Sequence, residues 1–230
     1  MKKTKLVIVG GGFGGVKLAH DLADDDRFEI TLISERDYFC YYPSLYHSAT
    51  TGLTRESIIP LEDIFGDTAV TVVHNKVTGL DKKEKKVICR NSKSYDYDYL
   101  VLALGVVTNY FGIEGLDKYS YGIKSKEEVE KFKAHVKSKI ASKEKEDHNY
   151  LIVGGGPTGI ELAGALPGYI RGLANQAGKD IKFKVTLIEA ANRLMPRGSK
   201  SMSRSLKRRL NNLGVKVMTN AHVQGQDINH

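Results

Sequence analysis

The chain has 230 residues, 41% of them hydrophobic and 27% charged, with a formal net charge of +8. That is enough chain for one large or two ordinary globular domains, and no apolar run approaches the roughly 20 residues needed to cross a bilayer. Cys40 and Cys89 stand far apart with no CxxC pair, and the histidines are scattered, which sets aside a disulfide framework, a dithiol site and a metal centre. The opening "MKKTKLVIVGGG" mimics a signal peptide, but its apolar run is short and passes straight into a glycine motif, so the expected location is the cytoplasm. The lysine excess suits anionic surfaces or ligands, and no basic stripe interleaved with aromatics speaks for nucleic acid.

In chain order, "KLVIVG" at 5–10 reads as a buried parallel strand, 14–24 as a helix and "EITLIS" at 29–34 as a second strand, together a βαβ unit. Residues 69–105 read as all-β, with short strands separated by charged turns. A turn-rich stretch at 111–124 fits a domain change, and 125–145 reads as a charged, exposed helix. The first pattern then recurs: strand "YLIVG", a helix over 158–174, strand "FKVTLIE" at 183–189, a helix through Leu206, Leu210 and Leu213, and strand "VKVMT" at 215–219. The repeat period is far too long for a solenoid and points to two duplicated nucleotide-binding units.

Each unit carries a GxGxxG turn between its first strand and its helix. In the first, Gly10 permits the tight turn, Gly12 lets the backbone approach a pyrophosphate, and Gly15 lets the helix pack on the strand. Phe13 and Gly14 lie at the helix start, where free amides and the positive dipole end face the phosphates. The second strand ends in Ser34, Glu35 and Arg36, and the Glu35 carboxylate suits the ribose hydroxyls of an adenosine. In the second unit the corresponding residues are Gly154, Gly156 and Gly159, with Pro157 and Thr158 at the helix start and Glu189 as the acid. A carboxylate at Glu189 favours the free 2′-hydroxyl of NADH and repels a 2′-phosphate, although Arg193 and Arg197 are near enough in sequence to receive one. A chain with two dinucleotide sites is suited to passing a hydride between them.

With these residues the chain resembles the flavoproteins that have two dinucleotide-binding domains. The first turn resembles their FAD motif, and "DYLVLALGVVTNYFGIEG" at 98–115 resembles their second FAD signature, with Ala103, Leu104 and Gly105 at its small-residue turn. Within that group it resembles the type II NADH dehydrogenases, single-subunit NADH:quinone oxidoreductases. "DYFCYYPSLYHSATTGL" at 37–53 is similar to their segment with an Ala-Thr turn beside the flavin, here Ala49 and Thr50. "GGGPTGIELAGAL" at 154–166 is similar to their NADH motif, including Glu161. Ser44 and Leu104 depart from the family's more usual leucine and threonine.

The resemblance implies an α/β fold of two Rossmann-like domains, FAD then NADH, with a small β-meander insertion. It assigns 1–112 to FAD, with Val77 among its contacts, and 113–230 to NADH. It implies FAD and NADH as cofactors, a quinone acceptor, a peripheral place on the cytoplasmic face of a membrane, and a homodimer as an open expectation. Glu161 becomes the candidate catalytic residue, orienting groups or handling a proton; an acid favourably placed in the first helical turn is the simpler alternative. Family members continue beyond this length, so the chain reads as their N-terminal portion. Two other activities stay open: a soluble NAD(P)H oxidase or redox-protein reductase of the same fold, and a nucleotide-binding fragment without turnover. Cys40, five residues past Glu35, lies too early for the redox cysteine of related oxidases, and Tyr41, Tyr42 and Tyr46 either line the flavin pocket or pack.

Overall fold

The computed structural model describes residues 2–51, 54–142 and 148–225. Strand β1 (Thr4–Val9), helix α1 (Phe13–Asp21) and strand β2 (Phe28–Ser34) form the first βαβ unit, with β1 and β2 parallel and Ile8 opposite Leu32. A short strand β3 (Tyr38–Cys40) leads to helix α2 (Leu45–Thr51), and β4 (Ile58–Pro60) returns antiparallel to β3. Helix α3 (Leu61–Phe65), strand β5 (Thr71–His74), the strands β6 (Val77–Asp81), β7 (Lys86–Cys89) and β8 (Ser94–Asp96), and strand β9 (Tyr99–Leu102) follow.

The stretch 69–105 is therefore not one β domain. β5 and β9 belong to a parallel sheet of order β5-β2-β1-β9, and only β6, β7 and β8 form the antiparallel meander. Short apolar runs do not reveal by periodicity which kind of sheet they join. The uninterrupted apolar run of β1 follows from burial on both faces. Leu6 and Ile8 pack with Ala19, Leu32, Leu61 and Phe65 on the helix side. Val7 and Val9 pack with Ile33, Val87 and Cys89 on the meander side.

Further along come α4 (Leu116–Tyr119), α5 (Lys126–Ala141), β10 (Asn149–Val153), α6 (Pro157–Gln176), β11 (Lys184–Ile188), α7 (Lys200–Asn212) and β12 (Val215–Met218). β10, β11 and β12 form a parallel sheet, with Ile152 opposite Leu187. Helix α5 is charged but not merely solvated. It buries Val129, Phe132, Val136 and Ile140, a stripe at helical spacing, and starts at Ser125, whose hydroxyl accepts from the Glu128 N–H at 3.2 Å. Of the stretch 125–145, residues 143–145 lie outside the described residues. Helix α6 outruns its expected end at 174 and carries the buried Pro167 within it.

The chain divides into two compact units, Met1–Tyr42 with Arg55–Val107, and Pro43–Thr54 with Thr108–His230. The second unit thus begins before 111–124 and takes in α2, which packs on α5 and α6. No described helix is long and apolar enough to cross a membrane.

Candidate functional site

Both glycine turns are built the same way. Gly10 and Gly154 have φ of +116° and +109°, a region that side chains disfavour. A Cβ on Gly15 would overlap the carbonyl oxygen of Gly10, and a Cβ on Gly159 would overlap that of Gly154, so each helix starts directly against its turn. The middle glycines differ: around Gly12 and Gly156 a Cβ would meet nothing within 4 Å. These two positions face open space in front of helix starts that carry no side-chain cap and no acid in the first turn. Gly14 and Phe13 are exposed at the start of α1, and Pro157 and Thr158 at the start of α6. Uncapped amides beside open space form an anion cradle, the surroundings that a pyrophosphate requires.

The turn after β9, expected to be a second FAD signature, meets the first glycine turn directly. The Ala103 N–H donates to the Val9 carbonyl at 2.8 Å, and a Cβ on Gly10 would strike the Ala103 carbonyl. Leu104 is exposed and Gly105 has φ +70°. Phe13 closes one side of the turn, edge-on to Phe39 at 4.9 Å between ring centroids and near Tyr41 and Tyr42 at 5.8 and 6.1 Å. These two tyrosines pack around Phe13, which is compatible with either alternative open for them.

The two acids expected to meet ribose are held differently. Glu35 follows β2, and its Oε1 accepts from Lys76 Nζ at 2.9 Å. That ammonium holds the Glu35 carboxyl below its ordinary value. Ser34 is buried, and its hydroxyl accepts from the Arg36 N–H at 3.2 Å, while the Arg36 guanidinium lies over the Tyr38 ring. Val77, at the start of β6, follows Lys76 directly. Glu189 accepts from backbone: Gly155 N–H on Oε2 at 2.6 Å and Ala191 N–H on Oε1 at 2.7 Å. Arg193 is turned to the backbone, where its guanidinium donates to the carbonyls of Met195, Pro196 and Gly198. Arg197 is exposed.

Two expectations change. Ala49 and Thr50 do not form a turn: they lie buried in α2, where the Thr50 hydroxyl donates to the Tyr46 carbonyl at 2.9 Å. Tyr, His, Ser and Thr are only moderate helix formers, so it is packing on α5 and α6 that made this segment helical. Glu161 is the fifth residue of α6, beyond the first turn, so the helix-start alternative for it fails. It lines a groove of about 330 Å³ between α2, α6 and α7 together with Tyr46 and Arg209, and desolvation there raises its carboxyl pKa. Cys40 and Cys89 are both buried, and burial pushes the Cys89 thiol up. Among the described residues no cluster of three His, Cys, Asp or Glu side chains could hold a metal ion. The residues that the sequence did not point to are Lys76 and its neighbour His74; a lysine 41 positions beyond its carboxylate leaves no local signal.

Residues 4–230 match the family described as pyridine nucleotide-disulphide oxidoreductase. The type II NADH:quinone oxidoreductase of Staphylococcus haemolyticus is 37% identical over 207 residues, covering 84% of this chain and 51% of that protein. The Staphylococcus aureus enzyme of the same description (strain NCTC 8325) is 34% identical over 212 residues, 87% of this chain and 52% of its own length. NDH2 from Plasmodium falciparum, solved in complex with NADH, superposes with a TM-score of 0.85 at 25% identity, over 98% of this chain and 50% of that one. The chain spans about half the length of the curated relatives it matches. On the match over 4–230, the chain belongs to the pyridine nucleotide-disulphide oxidoreductase family.

Proposed function

We propose that the first unit holds FAD and the second NADH, and that the protein passes a hydride from NADH to FAD and then two electrons to a quinone. The observation that carries this reading is the repeated cradle: one glycine that admits no side chain, one that faces open space, and an uncapped helix start, in each unit. The similarity to the Staphylococcus type II NADH:quinone oxidoreductases supports the choice of donor and acceptor.

When bound, FAD supplies the hydride acceptance and two-electron transfer that no side chain of the chain can perform. The remaining work is positioning. The amides at the starts of α1 and α6 bind the two pyrophosphates, and Gly12 and Gly156 leave room for their approach. Glu35 and Glu189 accept from ribose hydroxyls; the Ala103–Gly105 turn and Val77 complete the first site, and the start of α6 with Pro157 and Thr158 the second. Ala49 and Thr50 act from within α2. Glu161, its carboxyl pKa raised by desolvation in the groove beside Tyr46 and Arg209, orients groups or holds a proton. Because quinones partition into bilayers, the reading places the whole protein at a membrane surface.

The test is the visible absorbance of the purified chain before and after anaerobic addition of NADH. Flavin bands that bleach with NADH support both sites. A protein that stays colourless after incubation with excess FAD refutes the reading for this chain.

A further inference from the structure

Three successive residues, His74 at the end of β5 and Asn75 and Lys76 before β6, grip the end of β2. The Asn75 N–H donates to the Ser34 carbonyl at 2.9 Å. His74 Nε2 donates to the Glu35 carbonyl at 2.9 Å, and Lys76 Nζ to Glu35 Oε1 at 2.9 Å. The corner is itself anchored, since the Arg90 N–H donates to the Lys76 carbonyl at 2.8 Å. β2 and β5 pair in parallel with Ser34 opposite His74, so the grip extends the ladder past its last pair.

An ion pair this exposed contributes little to folding. The Glu35 side chain is 60% exposed, and an exposed glutamate otherwise samples many rotamers. From the geometry we propose that the 74–76 corner is a positioning element for the first dinucleotide, with Lys76 fixing the Glu35 carboxylate in the orientation that accepts the adenosine ribose hydroxyls. The inference rests on the reading of the first turn as a FAD site. A carboxylate offers about four acceptor positions, so one ammonium leaves Oε2 and part of Oε1 for the ribose. Besides Lys76, the charged groups facing Glu35 are Arg90 and Arg36, with the His74 imidazole on its backbone; Lys76 has the largest effect, and it lowers the carboxyl pKa.

The test is the affinity of the full chain for FAD, read by quenching of flavin fluorescence between about pH 4 and about pH 8, a range that brackets an ordinary glutamate. Lys76→Met should weaken binding about 2- to 5-fold at neutral pH, the size expected of an exposed ion pair, and Lys76→Arg should restore at least half of that loss. Affinity should fall on acidification as Glu35 protonates; the fall should begin at higher pH in Lys76→Met and vanish in Glu35→Gln. In the Glu35→Gln background, Lys76→Met should add nothing. A corner that matters only for folding would weaken FAD equally in both backgrounds and leave the acid limb in place, and either result overturns the inference. A wild-type chain that binds no FAD overturns the reading of the site and the inference with it.

Discussion

Gly159→Ala and Gly156→Ala, three positions apart in one motif, should fail in different assays. A Cβ at Gly159 would overlap the Gly154 carbonyl oxygen and lie 3.2 Å from its carbon and 3.6 Å from Ile152 Cγ2. Two of those three atoms are backbone and cannot rotate aside, so the start of α6 must shift by on the order of 1 Å. Overpacking of this kind costs about 1–3 kcal/mol, and a loss of about 2 kcal/mol in a chain of this size lowers Tm by about 4–8 °C. At Gly156 a Cβ meets nothing within 4 Å and φ is −80°, open to alanine. The loss of a glycine cap, about 0.5–1 kcal/mol, roughly cancels the gain of about 0.4–1 kcal/mol from a stiffer unfolded chain. Tm should therefore hold to within about 2 °C. The added methyl would fill the space over which a pyrophosphate must lie, and NADH affinity should fall at least about tenfold, or about 1.4 kcal/mol. Circular dichroism melts and titration of NADH fluorescence read the two effects separately. A Gly156→Ala protein that binds NADH as well as wild type would refute the placement of the pyrophosphate, and a Gly159→Ala protein with wild-type Tm would refute the close approach.

Arg193→Met should lower Tm, because three carbonyls lose a charged donor at a cost of about 1–3 kcal/mol, yet leave the ratio of NADH to NADPH affinity unchanged. Glu189→Ser should narrow that ratio; a ratio moved by Arg193 and not by Glu189 would contradict the assignment. Lys179→Met should cost about 1 kcal/mol in a thermal melt, since Lys179 Nζ donates to the Ile140 and Ser142 carbonyls at the C-terminal end of α5; a melt unchanged from wild type would show that water replaces it. Glu161→Gln should raise Tm at neutral pH. The folded pKa of Glu161 is raised, so its ionised form is disfavoured on folding; that penalty is absent below the unfolded pKa of about 4.3, grows as pH rises and is complete above the folded pKa. The gain over wild type should therefore disappear in melts below about pH 4, and a gain that persists there would point to packing rather than charge.

The glycine turns were legible in the sequence because their constraints are local. A turn, a close helix approach and an acid at the next strand end are fixed by spacing within one βαβ unit, and both units show them. The β1 core was legible for the same reason: a strand buried on both faces leaves no polar position. Helix α5 was misjudged because its Val129, Phe132, Val136 and Ile140 stripe is narrow and surrounded by lysine and glutamate. Its burial depends on α2 and α6, which no local pattern announces. Ala49 and Thr50 were misplaced likewise, since α2 owes its existence to packing within the second unit.

What holds Glu35 and Glu189 was illegible in the sequence, for a different reason in each unit. Glu189 is bound across 34 positions by the Gly155 N–H, a donor that every residue except proline supplies. Sequence change at 155 is instead limited by space, since a Cβ there would lie 2.7 Å from Leu194 Cδ2 and 2.9 Å from Glu189 Oε2. Glu35 is bound across 41 positions by a side chain, and the exposed corner that supplies it tolerates many residues. The orientation of the second acid is thus built into the backbone turn and changes only if the turn changes. The orientation of the first can be adjusted by one surface substitution at position 76 without disturbing a core residue. Two copies of one supersecondary device therefore differ in how easily their ligand affinity is tuned, and the first is the more adjustable.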